Sequence, residues 1–404
     1  MKKTDIVIVG GGMAGLSAAV MLCENSKFNV TLIEKSGIGT NETTRAVFAE
    51  VIKEFRLKES VLRNYSRYVF HSALGAQATF DYKKNAMVAI DYKKACNQLF
   101  ERAVQHGLIL LKQKAINFSS SSPDSPLVLH LDNSETIQTE ILIDASGVAQ
   151  WAAQCLHIPV SRYYSVSFGE LLENCQIEDI QAFRLLAPYS RYGNGGGWAY
   201  PLTNKTISFG YSIVTEKLDA DEASLKKGYF EAKSKFEPYA TWMGNAVKIK
   251  EEAGIIPVGR IGRFIDERVL IIGDAAGQAN PWAIEGCRPA LLNGRLAAEV
   301  VIEAFAKNKF NRSFLMLFER KWSRNNRERF WRTESSADIT WFKTSDVQWD
   351  KIVTLQKRVA PEVQFEYLKE NRASFLITAY AVAGFMRRVL VKKIKCVLKK
   401  IWKR

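Results

Sequence analysis

At 404 residues, with 47% hydrophobic and 25% charged side chains, the chain is long enough for two or three domains and is neither disordered nor fibrous in composition. Its six cysteines (Cys23, Cys96, Cys155, Cys175, Cys287, Cys396) are scattered, with no Cys-x-x-Cys pair and no clustering with the four histidines, which argues against a metal site and for a reducing compartment. The net charge of +15 is concentrated at one end: Arg387 to Arg404 carries nine basic residues and no acidic one, leaving +6 for the rest.

The first predicted element is an apolar strand from Asp5 that ends in Gly10-x-Gly12-x-x-Gly15 and leads into the helix-forming stretch Met13-Ala14 onward. A second apolar run, Thr31-Leu-Ile, closes on Glu34, nineteen residues past Gly15. Strand, tight turn, helix, parallel strand and terminal acid make up a dinucleotide fingerprint. Gly10 permits the turn, Gly12 lets backbone approach a pyrophosphate, Gly15 lets helix and strand pack, and Glu34 accepts from a ribose. The helix N-terminus favours the phosphates through its free N–H groups and dipole. Lys2 and Lys3 precede an apolar stretch that runs straight into this turn without a small-residue cleavage pattern, so a cytoplasmic protein is expected.

Lys35 to Arg45 reads as a polar loop over the cofactor, from which Arg45 can reach it, and Ala46 to Leu62 as an amphipathic helix. Arg67–Ser72, Ala76–Tyr82 and Met87–Ile90 read as strands of an inserted antiparallel layer. Asp91–His106 returns to helical spacing, with Gly107 as its stop. Leu108–Lys112, Leu127–Leu131 and Ile141–Ile143 read as strands, with a loop over Ser119–Ser125. The last of these ends in Asp144-Ala-Ser-Gly147, where a second backbone loop can close on the cofactor. Tyr163 to Val214 reads as sheet and holds Gly195-Gly-Gly-Trp198-Ala-Tyr200-Pro201; residues 217–245 read as polar helix packed outside it.

The second informative stretch is Arg268-Val-Leu-Ile-Ile-Gly273-Asp274-Ala-Ala-Gly277, followed by Pro281, Glu285-Gly286 and a helix from Pro289 to Phe305. Asp274 stands at a strand's C-terminal edge, where such sheets bind ligands, and can accept from a ribityl chain. The helix beyond Pro281 turns its positive end toward a flavin carbonyl. Asn311–Thr340 is aromatic, basic and helical in spacing, and is expected on the substrate side; its Arg324, Arg327 and Arg329 come with no nucleic-acid motif, so no nucleic-acid partner is expected. Ala373–Met386 is apolar for fourteen residues, too short for a span. Arg387–Arg404 places Leu390, Ile394, Val397 or Leu398, and Ile401 on one helical face amid lysines, the pattern of a helix lying on an anionic membrane surface.

Taken together these motifs resemble the geranylgeranyl reductase family of flavoproteins, which shares the p-hydroxybenzoate hydroxylase fold and is similar to lycopene cyclases. The resemblance covers about three quarters of the chain and rests on Gly10–Gly15, on Trp198-Ala-Tyr-Pro201, and on Gly273–Gly277 with Pro281 and Glu285-Gly286. It implies an α/β fold: a Rossmann-type FAD-binding domain (1–65, 91–160, 255–308), an inserted antiparallel substrate sheet (66–90, 161–254) and a C-terminal helical region (309–404). The implied activity is FAD-dependent reduction of a carbon–carbon double bond in a hydrophobic isoprenoid or lipid substrate, with NAD(P)H or ferredoxin as electron donor. Cofactor contacts are expected from Gly10, Gly12, Met13, Ala14, Gly15, Glu34, Lys35, Arg45, Ala115, Gly147, Gly273, Asp274, Pro281, Gly286 and Cys287, and a substrate wall from Trp198, Tyr200 and Pro201.

The chain departs from the family pattern in three places. Gly196 replaces the leading aromatic of the Trp198 motif, Cys287-Arg-Pro opens the helix after Gly286, and Thr43-Thr44-Arg45 stands where the reductases carry a cysteine-glycine pair. Three other enzyme types share the fold: an NAD(P)H- and oxygen-dependent hydroxylase, a cyclase and a halogenase. Where cyclases place a catalytic acid this chain has Ser208-Phe-Gly-Tyr211, and only Trp198-x-Tyr-Pro of the halogenase signature is present. A non-catalytic flavin-bound membrane scaffold is the reading from another class. No proton donor stands out in the sequence.

Overall fold

The computed structural model describes residues 2–82, 84, 86–190, 195–216, 222–281, 284–325 and 343–370. In chain order, β1 (Lys2–Val9), α1 (Met13–Asn25) and β2 (Val30–Ile33) form the anticipated unit, with β2 parallel to β1. β3 (Thr44–Phe48), α2 (Ala49–Glu54), β4 (Val61–Tyr65), β5 (Arg67–His71), β6 (Gln77–Asp81) and β7 (Met87–Asp91) follow. The helix expected over Ala46–Leu62 is therefore two strands around one short helix. Its apolar spacing suits either form, and pairing of β3 along β7, from Thr44 opposite Asp91 to Phe48 opposite Met87, decides for strand.

Next come α3 (Tyr92–Gln105), β8 (Ile109–Leu111), β9 (Ala115–Ser119), β10 (Leu127–Leu131), β11 (Thr136–Asp144) and α4 (Trp151–Cys155). Asp91 caps α3 by accepting from the Lys94 N–H. The second layer is β12 (Tyr163–Glu173), β13 (Ala182–Tyr189), β14 (Gly195–Pro201) and β15 (Ile207–Thr215), then α5 (Glu222–Lys235), α6 (Tyr239–Met243) and β16 (Val247–Val258). β17 (Ile265–Asp266), β18 (Val269–Ile271), α7 (Cys287–Lys307), α8 (Arg312–Asn325), α9 (Asp346–Gln356) and α10 (Pro361–Glu370) complete the described chain.

One sheet runs β17-β18-β11-β1-β2-β8, with β18, β11, β1, β2 and β8 parallel and the β9–β10 ribbon hung antiparallel on β11. A second runs β16-β12-β15-β14-β13-β5-β6, antiparallel except where β13 meets β5. The third, β3-β7-β4, joins the two, so the inserted segment 66–90 divides: β5 and β6 extend the large antiparallel sheet while β7 pairs with β3 and β4. β16 likewise carries that sheet to Val258, past the expected boundary at 254.

Helix α7 crosses α1 so closely that a Cβ on Gly294 would lie 2.3 Å from the Ala14 carbonyl oxygen, and the Ser17 hydroxyl donates to the Leu291 carbonyl at 2.7 Å. α8 corrects another expectation. Its Leu315, Phe318 and Trp322 are fully buried, and Trp322 meets Phe264 edge-on at 4.9 Å, so it covers the β17–β18 edge rather than the substrate side. Each such side chain contributes about 1.5–3 kcal/mol by leaving water. The substrate side is covered instead by α9 and α10, whose Trp349, Val353 and Leu368 pack with Phe48, Tyr68 and Phe70. Among the described residues no helix is long and apolar enough to cross a membrane. Arg327, Arg329, the apolar run 373–386 and the basic run 387–404 lie outside the described residues.

Candidate functional site

The cleft opens where strand order reverses at β1, between β11 and β2. Gly10 has φ +107° and faces Ala145 so closely that a Cβ would come within 2.2 Å of its carbonyl oxygen. A Cβ on Gly15 would lie 2.1 Å from the Gly10 carbonyl oxygen, so both positions exclude a side chain. α1 begins after Gly12 with no side-chain cap, and Met13 and Ala14 form its buried first turn. At the end of β2, Glu34 accepts from the Gly11 N–H and the Ser36 N–H, both at 2.8 Å. These two bonds fix the carboxylate at the rim of the turn; Lys35 beside it is exposed. Ala115 is buried at the start of β9.

Across the cleft, fully buried Asp144 accepts from the Ser146 and Ala152 N–H groups at 2.9 and 2.8 Å. The turn thus held presents Gly147 at φ +67°, with open space where a side chain would project. Gly273 is at φ +62° against Ala14, and its N–H donates to Gln278 Oε1 at 2.8 Å. Asp274 is half-buried beside Gly286, and its carboxylate accepts no hydrogen bond among the described residues. Burial pushes its carboxyl up to about 6, with the Arg45 charge opposing and Glu285 adding to the rise. Pro281 is buried, and Gly286 opens α7 with no side-chain cap. Burial also raises the Cys287 thiol.

Beyond Gly286 lies a cavity of about 170 Å³ between the second and third sheets, walled by β3, β5, β12, β13 and β14 and roofed by Trp349 and Leu368. Trp198 and Tyr200 line it, their rings stacked at 6.4 Å. Pro201 does not: it is buried, with its carbonyl accepting from the Tyr65 hydroxyl at 2.9 Å. Arg45 lies at the cavity's edge against Gly254, and its charge reaches Asp274, Cys287 and Tyr200.

Gly169 and Glu252, and the roles of Gly210 and Ser208, escaped sequence reasoning. Trp198 lies flat over Gly210 and Gly169, where added Cβ atoms would come within 2.1 and 3.0 Å of its ring. Buried Glu252 accepts from the Thr44 N–H and hydroxyl, both at 2.8 Å, and from the Ser208 hydroxyl at 2.6 Å; Ser208 in turn accepts from the Trp198 indole at 3.4 Å. A buried carboxylate thus stands behind Ser208, supplied by a different strand. Arg288, one of the family departures, donates to Glu285 through its N–H at 2.8 Å and its Nε at 3.3 Å, and to the Lys369 carbonyl. That arginine ties the loop before α7 to α10. Gly169, Gly210 and Glu252 meet Trp198, Ser208 and Thr44 only in the folded sheets, so no local pattern announces them, whereas Glu285 and Arg288 stand three residues apart.

The sequence profile of the family described as lycopene cyclase protein matches residues 5–347. The chain belongs to this family. It is similar to the digeranylgeranylglycerophospholipid reductase of Methanocaldococcus jannaschii, 26% identical over 339 residues, covering 80% of this chain and 83% of that one. The chloroplastic geranylgeranyl diphosphate reductase of Nicotiana tabacum is 22% identical over 359 residues, 84% of this chain and 74% of the relative. Among solved structures, a geranylgeranyl bacteriochlorophyll reductase-like protein from Thermoplasma acidophilum superposes with a TM-score of 0.74 at 16% identity, covering 91% of this chain and 96% of that one. A flavin-dependent brominase does so with a TM-score of 0.74 at 15% identity, covering 96% and 100%. Sequence and fold are therefore those of the geranylgeranyl reductase-like, FAD-dependent oxidoreductases. The residues present fit that cofactor: the glycine turns carry no side chain into the cleft, α1 opens onto it with no side-chain cap, and the Asp274 carboxylate has no hydrogen-bond partner among the described residues.

Proposed function

We propose that this oxidoreductase reduces carbon–carbon double bonds of an isoprenoid or other hydrophobic lipid. The observation that carries the reading is the aromatic-walled cavity, which meets the cleft at Glu285 and Gly286. Bound and reduced, FAD supplies a hydride to one carbon of the double bond, while a proton originating in water ends on the other. The chain's own residues bind and orient. In this reading the Gly10–Gly15 turn, with Met13 and Ala14, holds the pyrophosphate on the α1 N-terminus. Glu34 takes the adenosine ribose, flanked by Lys35 and Ala115, and Gly147 closes from the other side. Gly273 and Asp274 take the ribityl chain, and the positive end of α7 at Gly286 and Cys287 favours electron-rich character at the ring's carbonyl edge, with Pro281 shaping the approach. Trp198 and Tyr200 pack the substrate and exclude water from it.

NAD(P)H or ferredoxin serves as electron donor, a proposal consistent with the single dinucleotide fingerprint in the sequence. The test is incubation of the FAD-loaded, reduced protein with isoprenoid lipids under nitrogen and in air, read by mass spectrometry. Gains of hydrogen pairs in both atmospheres support the reductase; gain of oxygen in air alone makes it a hydroxylase. The basic run Arg387–Arg404 is proposed to hold the protein on anionic membrane where such lipids reside. Its deletion should abolish binding to anionic liposomes with the flavin retained, and undiminished liposome binding would refute that role.

A further inference from the structure

The cavity holds about 170 Å³, whereas pockets that enclose a ligand of drug size run to about 300–1,000 Å³. A lipid chain therefore enters only if a wall moves. The strand walls are fixed by continuous pairing within the sheets, which leaves the helical roof, Trp349 of α9 and Leu368 of α10, as the movable part.

The two roof helices are held differently. Asp346 of α9 accepts from the Ser190 N–H and hydroxyl at 2.8 and 2.7 Å, and Asp350 accepts from the Ser72 hydroxyl and the Ala76 N–H. These bonds fasten α9 to the large antiparallel sheet. α10 meets α9 through a 3.3 Å bond from Gln364 to Gln356 that leaves Gln356 Nε2 and Gln364 Oε1 buried without partners among the described residues. Unmatched buried polar atoms weaken that contact. α10 is therefore the helix that moves.

What α10 closes on is the loop before α7. Carbonyls in the last turn of a helix need partners from outside it. The Leu368 carbonyl accepts from Asn280 Nδ2 at 3.2 Å, and the Lys369 carbonyl accepts from Arg288 Nη2. The Lys369–Glu50 pair at 2.6 Å lies at the surface and adds little. Asn280 is fully buried, and its N–H donates to the Glu285 carbonyl at 2.9 Å, closing the neck of the loop. Buried Arg288 holds the Glu285 carboxylate through its N–H and Nε. Its guanidinium also lies over the Phe48 ring at 5.0 Å, and Phe48 in turn meets Phe365 of α10 edge-on at 5.5 Å. Between Glu285 and Arg288, Gly286 faces the Asp274 carboxylate, 3.3 Å from where a Cβ would stand. One arginine thus touches the loop at the cleft, the cavity wall and the roof.

We infer that Arg288 is a positioning residue that couples the roof of the cavity to the cofactor cleft. α10 swings out to admit a lipid and closes fully only on a loop whose Gly286 end the cofactor has fixed. This rests on the reading above in taking the cavity as the lipid site and the Gly286 turn as facing the flavin. By linkage, FAD and the closed roof stabilise each other by the same factor.

The test follows amide hydrogen exchange by mass spectrometry in the full-length protein, with and without FAD. Residues 361–370 report the roof, and α5, outside both sites, is the control. FAD should slow exchange in 361–370 roughly 5- to 150-fold, the usual range of coupling between linked sites, and leave α5 unchanged. Arg288→Met should remove that dependence while flavin absorbance shows FAD still bound, and Arg288→Lys should restore part of it. Because Arg288→Met leaves Glu285 buried and unpaired, the double variant Glu285→Gln/Arg288→Met is measured beside it. Exchange that ignores FAD in the native protein would overturn the proposal, as would protection by FAD that survives intact in both variants. Loss of FAD from the double variant would make Arg288 part of the cofactor site itself and also overturns it. Farnesol separates the coupling from the lipid reading. Its release, timed by the fluorescence of Trp349, should be slower with FAD than without in the native protein and independent of FAD in Arg288→Met; release that ignores FAD in the native protein counts against the coupling. If FAD protects α10 while farnesol leaves the tryptophan fluorescence unchanged, the coupling stands and the lipid reading is the part that fails.

Discussion

Replacing Gly210 by alanine tests how tightly the Trp198 wall is built. The added methyl would sit 2.1, 2.4 and 2.6 Å from Cζ2, Cη2 and Cε2 of Trp198. Carbon atoms in contact stay about 3.5–4.0 Å apart, so the ring must retreat by roughly 1.4 Å or more. It cannot slide within the sheet plane toward Gly169, whose backbone already lies beneath it, so it must lift into the cavity toward Tyr200. Overpacking of this kind costs about 1–3 kcal/mol, and the movement also breaks the 3.4 Å indole bond to Ser208. Urea-unfolding midpoints of the FAD-loaded protein, with tryptophan fluorescence and probe binding on the same samples, give the readout. Gly244→Ala is the control: Gly244 has helical dihedrals of −54° and −36° and its nearest neighbour would be 3.5 Å from a new Cβ. That substitution should be neutral or stabilise by about 0.4–1 kcal/mol. A Gly210→Ala midpoint equal to that of Gly244→Ala, with unchanged cavity binding, would refute the close fit.

Gly10→Ala combines φ +107° with a 2.2 Å approach to Ala145, so the purified variant should lack the flavin absorbance of the native protein while keeping its far-ultraviolet circular dichroism. Glu252→Gln leaves three donors facing an amide with a single acceptor oxygen; at 3% exposure this should lower stability by about 1–3 kcal/mol, read as a fall in the urea midpoint, and an unchanged midpoint would show that the donors find other partners. In the FAD-free protein Asp274 holds its proton up to about pH 6 when folded, against an ordinary value of 3.8 for the unfolded chain. Unfolding therefore releases a proton between those values, and the folded state loses this contribution as pH rises from 3.8 to about 6. Native stability measured relative to Asp274→Asn should fall across that window and level off above it, and a flat difference would mean that Asp274 titrates normally.

Much of the dinucleotide half was legible because its chemistry is local. Gly15 is required by its close approach to the Gly10 carbonyl five residues back, Gly10 turns at a positive φ, and Glu34 reaches back only as far as Gly11; the approach of Gly10 to Ala145 is the long-range part. The strand ending at Asp274 and the helix from Gly286 were readable for the same reason, since each is a strand-turn-helix unit with its own sequence signals. Ala46–Leu62 failed as a helix because the competing partner, β7, lies some forty residues on. The aromatic helix α8 was placed on the wrong side because its spacing shows that it buries a face but not against what; Phe264 supplies that answer.

By itself the sequence determined the βαβ nucleotide unit, the Asp274 turn, the existence of an inserted sheet and the aromatic pair Trp198 and Tyr200, all from short-range backbone requirements. Only the tertiary structure decided what surrounds that pair. Gly169 and Gly210 make a bed for Trp198 from positions twenty-nine residues before it and twelve after it, and Glu252 secures Ser208 and Thr44 from yet another strand. Arg45 changed most. In the sequence it is a basic residue of a polar loop, expected to reach the cofactor, whereas the fold sets it in β3, where it lines the cavity. A charge acquires its role from what packs around it, and that is a property of sheets brought together across 200 residues rather than of any stretch of chain.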